Sequence, residues 1–193
     1  LFGGRRAGIV PLVMEAFNWQ HGTFLGATAS SETTAAAAGK VGQLRRDPMA
    51  MLPFCGYNMG DYFAHWLKIG AKSSRLPKIF YVNWFRQDEN GKYLWPGYGE
   101  NSRVLKWVFE RCDGTAHAAE TAVGRLPGPA DLDISGLNLP AANLEKLLSV
   151  DVEGWLGEVP RIREHFAKFG DHLPEALGRE LQELEQRLQS SKR

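Results

Sequence analysis

The sequence predicts a mixed α/β fold, with a sheet core over roughly the first two-thirds and a helical C-terminal segment. Three observations carry this reading. The run Ile79-Phe80-Tyr81-Val82 is short, apolar and rich in β-branched and aromatic residues, as a buried strand should be. Residues 58–69 place Tyr62, Phe63, Trp66 and Leu67 near one face of a helix. Beyond a Gly- and Pro-rich connecting stretch at 124–140, the leucines fall at helical spacing, ending in Leu177, Leu181, Leu184 and Leu188.

The remaining elements follow in order. Gly3 and Gly4 permit close backbone approach, and Arg5 and Arg6 carry planar guanidinium groups suited to phosphate oxygens. Residues 9–17 alternate loosely around Pro11, which suggests an early or edge strand, and residues 23–29 read as a second strand. Residues 30–41 join Ser/Thr capping groups to four alanines and a glycine stop, the pattern of a short, weakly anchored helix. Lys40, Arg45 and Arg46 form a basic cluster of the kind that usually sits in water. A helix from Ser102 to about Gly114 would pack through Val104, Leu105, Trp107, Val108 and Phe109. The lone His21 beside a turn reads as a hydrogen-bonded structural residue. The leucine stripe at 177–188 reads as core packing, with a partner-binding face as the alternative.

With 193 residues, 44% apolar and 23% charged, the chain is long enough for one folded domain with a sizeable core. A net charge of +1 argues against a general polyanion binder. Cys55 and Cys112 stand far apart, which excludes a disulfide framework and a cysteine-based zinc motif and fits a reducing compartment. No apolar run approaches the length needed to span a bilayer and no basic-then-apolar leader opens the sequence, so the expectation is a cytoplasmic protein with no membrane partner. The sequence starts on Leu1 and on residues that look functional, which suggests a chain cut upstream.

Between the turn clusters Asp88-Glu89-Asn90-Gly91 and Pro96-Gly97-Tyr98-Gly99, and just before them, lie Trp84, Phe85, Tyr93, Trp95 and Tyr98, with Asn101 just beyond. Loops are normally polar surface. So many flat rings would suit a planar ligand such as a purine, with the Asn101 carboxamide available to a base edge. The same rings would also suit a satellite core under a long loop.

The runs Asn83-Trp84-Phe85-Arg86 and Gly91-Lys92-Tyr93-Leu94-Trp95-Pro96-Gly97-Tyr98-Gly99-Glu100-Asn101-Ser102-Arg103 strongly resemble the nucleotide-base loop of the GTP-dependent phosphoenolpyruvate carboxykinases. The resemblance extends from Phe2-Gly3-Gly4-Arg5-Arg6 through Trp19-Gln20-His21-Gly22, Asp47-Pro48-Met49-Ala50-Met51 and Gly56-Tyr57-Asn58 to about Pro127, with a weaker helical tail. It implies that residues 1–193 are the C-terminal part of the catalytic domain, in its nucleotide-binding lobe. Residues 1–127 would then hold the guanine pocket and lid, and residues 128–193 a mainly helical tail.

The resemblance also implies site roles. Phe85, Tyr93 and Tyr98 would hold guanine and Asn101 would read its edge, with Gly99 and Glu100 in the same nucleotide-binding turn. Arg5 would reach the phosphates. Ser31, Glu32, Thr33, Thr34, Ala35, Ala36, Ala37, Ala38, Gly39 and Lys40 would form a mobile lid that shields an enolate from solvent protons. The family commonly has Phe in place of Tyr93 and Tyr98, and Glu in place of Ala38, a change that would alter the balance between open and closed lid.

The implied reaction converts oxaloacetate and GTP into phosphoenolpyruvate, GDP and carbon dioxide, in gluconeogenesis, with Mn2+ or Mg2+ as cofactor. Gly39-Lys40 lacks the glycine frame of a phosphate-cradling loop, and the five histidines are scattered. The metal ligands and the family's reactive cysteine are expected in sequence preceding this chain, and the isolated chain is expected to be inactive. The complete enzyme is expected to be monomeric, with no nucleic-acid partner. Two alternatives remain from the residues alone: a non-catalytic guanine-nucleotide module, and a single-strand RNA binder stacking bases on the same rings.

Overall fold

The computed structural model describes residues 1–3, 8–32 and 44–192. Arg5, Arg6 and the lid positions Thr33 to Lys40 lie outside the described residues. The architecture is mixed α/β, as the sequence predicts, and it is organised around β5 (Phe80–Val82). All three β5 residues are buried. On one side β5 pairs in parallel with β1 (Phe2–Gly3), and on the other antiparallel with β2 (Val13–Glu15), in register Met14 opposite Tyr81. The sheet continues through β7 (Arg125–Leu126) to β6 (Ala119–Glu120), giving the order β1-β5-β2-β7-β6.

The period of two along these strands divides the core. Val13, Phe80 and Val82 join Leu12, Trp95, Trp107, Leu144 and Leu147 in one cluster, covered by α3 (Asn101–Asp113) and α4 (Ala141–Leu148). Met14 and Tyr81 face a second cluster with Phe24, Phe63, Val159, Ile162, Leu177, Leu181, Leu184 and Leu188. That face is covered by α1 (Trp19–Ala27), α2 (Met59–Lys72), α5 (Val152–Ala167) and α6 (Glu175–Ser190). The sheet is thus the middle of three layers. The leucine stripe of α6 is core packing, as expected.

Several expectations are corrected. Residues 9–17 do contain a strand, but it is central rather than at an edge, because Pro11 lies ahead of the ladder and its missing N–H removes no sheet bond. Residues 23–29 are not a strand: α1 runs through most of them, capped by the Asn18 side chain, which accepts from the His21 N–H at 2.8 Å. Residues 21–27 are all buried, the polar His21 and Thr23 included, so the segment carries no apolar stripe with polar residues opposite it to mark a helix. The described start of the predicted alanine-rich helix is a strand, β3 (Ser30–Glu32), paired antiparallel with β4 (Leu44–Arg46).

Arg46 is not in open water. It donates to the Thr28 carbonyl at 2.9 Å and pairs with the buried Glu158 of α5, while Arg45 stays exposed. Phe109 is 67% exposed, leaving Val104 and Trp107 as the buried anchors of α3. Five residues spread over six positions cannot share one face of a 3.6-residue turn. Among the described residues no helix is long and apolar enough to cross a membrane.

Candidate functional site

Where β5 ends, Asn83 turns the chain. Its fully buried carboxamide donates to the Val10 carbonyl at 2.9 Å and accepts from the Phe85 N–H at 3.1 Å, so the strand end is tied across the sheet before the loop begins. Residues 86–94 then form an irregular hairpin. Leu94 N–H bonds the Arg86 carbonyl and Asp88 N–H the Lys92 carbonyl, each at 2.9 Å, and Gln87 bridges Tyr93. The Asp88 carboxylate caps the tip by accepting from the Asn90 and Lys92 N–H groups, and Gly91 takes the positive φ of 76° that the turn requires. Arg86 is inside, donating to the Ser149 carbonyl at 3.2 Å, and burial lowers its pKa.

The hairpin sorts its aromatics into two groups. Trp95 is 1% exposed and belongs to the core with Leu94, and Trp84 packs partly against it. Phe85 and Tyr93 are 37% and 43% exposed, with ring centroids 6.0 Å apart in an edge arrangement. Tyr98 is 99% exposed and holds a left-handed φ of 43° just after Gly97 at 76°. For a residue with a Cβ that backbone costs on the order of 1 kcal/mol, and such positions gather at ligand clamps. The loop thus divides its rings: Trp95 fills the core and Trp84 packs partly against it, whereas the Phe85, Tyr93 and Tyr98 rings face outward.

Asn101 opens α3 three residues after Tyr98, and its Oδ1 accepts from the Trp95 Nε1–H at 2.9 Å. Ser102 Oγ donates to the Gly99 carbonyl at 2.7 Å, and the Glu100 carboxylate is engaged by Arg103, which also donates to the Asp133 carbonyl. Gly99, Glu100 and Asn101 are thus brought together as one tight turn. The loop leaves the C-terminal end of β5. β1 runs parallel to β5, with Gly3 opposite Val82, so β1 ends on that same side of the sheet. The Trp95–Asn101 bond and the role of Asn83 are what sequence reasoning missed. A donor-only indole six residues before a carboxamide is the signal that could have suggested the first.

Beside β1 lies a cleft of about 240 Å³ lined in part by Phe2, Ser30, Ser31, Asp47 and Met49. Ser31 is the described, partly buried start of the predicted lid; Glu32 follows it in β3. His21 stands apart from both features as a buried residue of α1. Its Nδ1 accepts from the Phe17 N–H at 3.1 Å, and burial with the nearby Arg187 and Arg125 charges pushes its pKa down to about 3. It is a neutral structural histidine, as expected. Among the described residues no group of three or more His, Cys, Asp or Glu side chains could hold a metal ion.

An α/β lobe that extends an irregular, aromatic loop from the C-terminal ends of parallel strands has the general layout of a ligand-binding lobe. The family model described as phosphoenolpyruvate carboxykinase C-terminal P-loop domain matches residues 1–187. The chain belongs to this family, the GTP-dependent phosphoenolpyruvate carboxykinases.

It is 57% identical over 194 residues to phosphoenolpyruvate carboxykinase [GTP] of Neocallimastix frontalis, an alignment covering 99% of this chain and 32% of the relative. The protein of the same name from Treponema pallidum (strain Nichols) is 55% identical over 195 residues, covering 99% and 32%. That of Arthrobacter sp. (strain FB24) is 55% identical over 190 residues, covering 97% and 31%. The chain spans about a third of the length of these curated relatives.

Proposed function

We propose that this chain is the guanine-binding and lid-bearing part of an enzyme that converts oxaloacetate and GTP into phosphoenolpyruvate, GDP and carbon dioxide, and that works as a monomer in cytoplasmic gluconeogenesis. The observation that carries the proposal is the solvent-facing set of Phe85, Tyr93 and Tyr98 beside Asn101, in a chain 57% identical to a carboxykinase named for GTP. Phe85 and Tyr93 offer an edge-and-face corner to a flat base, and Tyr98, held out in its left-handed turn, closes over it. Gly99 and Glu100 hold the turn that brings Tyr98 and Asn101 to the same base.

Arg5 follows the end of β1 by two residues, so the parallel pairing with β5 favours phosphates lying at the same end of the sheet as the base. A guanidinium there positions and neutralises the transferring phosphoryl group. Residues 31–40 act as the lid: closing them excludes water from the enolate that decarboxylation leaves, so that it takes the phosphoryl group instead of a proton. The described residues do not fit the Mn2+ or Mg2+ that the family resemblance implies, and we place its ligands outside this chain. For the same reason residues 1–193 alone have no turnover in this reading.

The test is steady-state kinetics of the complete protein. Tyr98→Ala should raise KM for GTP roughly tenfold, the worth of one lost base stack, with KM for oxaloacetate little changed. An unchanged KM for GTP would remove these rings from the nucleotide site. GTP binding without any oxaloacetate-dependent turnover would leave a binding module in place of an enzyme.

A further inference from the structure

Phe85 and Tyr93 owe their outward direction to the residues that follow them. Exposure alternates along the hairpin: Arg86 and Leu94 are 8% and 4% exposed, while Phe85 and Tyr93 are partly open to solvent. The Arg86 carbonyl accepts from the Leu94 N–H at 2.9 Å, so whatever holds this inward pair holds the two rings one residue before it. Leu94 belongs to the cluster of Leu144 and Leu147 from α4. The Arg86 guanidinium donates through Nη1 to the carbonyl of Ser149, in the turn between α4 and α5, at 3.2 Å.

That turn is a fixed point. The Leu147 carbonyl accepts from the Leu12 N–H at 2.8 Å, and the Leu12 carbonyl accepts from the Asn83 N–H at 2.9 Å. The end of α4 is thereby bonded, through one residue, to the end of β5. At the hairpin tip Lys146 of α4 also pairs with Glu89 at 3.2 Å, but both groups are exposed and such a pair is worth little. The buried tie is Arg86. A cation is a costly way to fill space: burial lowers the Arg86 pKa, with the Asp151 charge opposing, and a methionine of comparable size would fill the position without that cost. What the guanidinium adds is direction, a rigid planar donor aimed at one carbonyl.

We propose that Arg86 is a positioning residue for nucleotide binding: it clamps the hairpin of Phe85 and Tyr93 to the turn between α4 and α5, so that the C-terminal helical segment sets nucleotide affinity without touching the nucleotide. This rests on the reading of Phe85, Tyr93 and Tyr98 as the base pocket. Without the clamp the hairpin keeps its own backbone bonds and its Leu94 anchor, but the two rings lose their common bearing on the base.

The experiment is steady-state kinetics of the complete protein, below the melting midpoint of each variant. Arg86→Met should raise KM for GTP roughly tenfold, the worth of one hydrogen bond from a charged donor, with kcat at saturating GTP and KM for oxaloacetate within about twofold of the parent. Because a single N–H makes the contact, Arg86→Lys should recover most of the affinity. Lys146→Met, which cuts the exposed tie, should change KM for GTP less than about twofold. An unchanged KM for GTP in Arg86→Met overturns the proposal, as does an equal loss in KM and kcat that Arg86→Lys fails to rescue, the mark of a damaged fold.

Hydrogen exchange tests the same clamp in the parent protein and needs no variant to fold. By reciprocity, a turn that steadies the nucleotide site is steadied by the nucleotide, so GDP should slow exchange at the amides of residues 147–151. No slowing there overturns the proposal. Tyr98→Ala separates the two levels: if it raises KM for GTP while Arg86→Met does not, the pocket stands and only the clamp falls; if neither variant raises it, both fall.

Discussion

The aromatic cluster around α1 and the aromatic loop after β5 are made of the same residue types and end in opposite environments. In the first, Trp19 stacks on Trp66 with centroids 5.3 Å apart, Phe24 meets Phe166 edge-on at 6.0 Å, and Phe17 lies against His21 at 4.6 Å. In the second, Phe85, Tyr93 and Tyr98 face solvent from a hairpin whose backbone is fixed by Asn83, Asp88 and two positive-φ glycines. The difference lies in what covers each segment. Helices α2, α5 and α6 close over α1, whereas the loop extends past the end of the sheet, and of its rings it is the tryptophans that reach back into the core. Aromatic content marks a place where energy can be gained, and the layer above it decides whether protein or ligand collects that energy.

Measurements of stability and of nucleotide binding should separate the two regions, and the largest difference is expected in the core. Phe24→Ala should lower unfolding free energy by about 3–5 kcal/mol, the range for a buried aromatic, read from denaturant midpoints at constant slope. A loss under 1 kcal/mol would mean that the α1 cluster is not the packed core it looks like.

Acid should act on the same cluster through His21. Its folded pKa, about 3, lies below the ordinary 6.5, so between those values the unfolded chain binds a proton that the native state does not. The contribution is complete above pH 6.5 and is lost as pH falls, at about 1.4 kcal/mol per pH unit, or about 2 kcal/mol by pH 5. His21→Phe should flatten this slope in a urea titration across pH 4–7. If the slope persists, its source is another group.

Gly22→Ala comes next. A Cβ there would stand 2.4 Å from Ile79 Cδ1 and 2.7 Å from its Cβ, so α1 must move off the residue leading into β5, at a cost of about 1–3 kcal/mol. A thermal midpoint equal to that of the parent protein would refute so close a packing.

On the other side of the comparison, Tyr98→Ala should change stability by less than about 0.5 kcal/mol, because the ring buries nothing. In the proposed reading its effect falls on GTP affinity instead. A stability loss as large as that of Phe24→Ala would erase the distinction between the regions.

The smallest effect is expected at His172, an exposed histidine whose Nδ1 lies 2.9 Å from Asp61 in the first turn of α2. The Asp61 hydrogen bond and charge raise its pKa. The sign is opposite to that of His21: the contribution is present below pH 6.5 and fades as pH rises through the elevated folded value. The His172 ring resonances in an NMR pH titration should show the raised midpoint in the parent protein and lose it in Asp61→Asn.

Legibility in the sequence followed the range of the forces involved. The buried strand at 80–82, α2 behind its Asn58 cap, α3 ending at the left-handed Gly114 and the leucine stripe of α6 were all readable, because apolar spacing, caps and turn residues act within one segment. The membership of the outward-facing trio came from motif resemblance; periodicity and composition alone favoured core packing for the rings of the loop. The strand predicted over 23–29 failed because complete burial removes the stripe that distinguishes a helix. The basic cluster failed at Arg46 because its partner, Glu158, lies 112 positions away.

The chain's order of residues by itself determined the α/β class, the family, the turns that bracket the aromatic loop and the helices that pack on the sheet, since each is written in local chemistry or in motif order. Only the tertiary structure decided which aromatics are core and which face outward, that α1 is a helix, that Arg46 is paired, and that the indole of Trp95 holds the oxygen of Asn101. Those outcomes depend on what covers a segment and on partners brought together from distant positions, and neither burial nor a cross-chain hydrogen bond has a local signature.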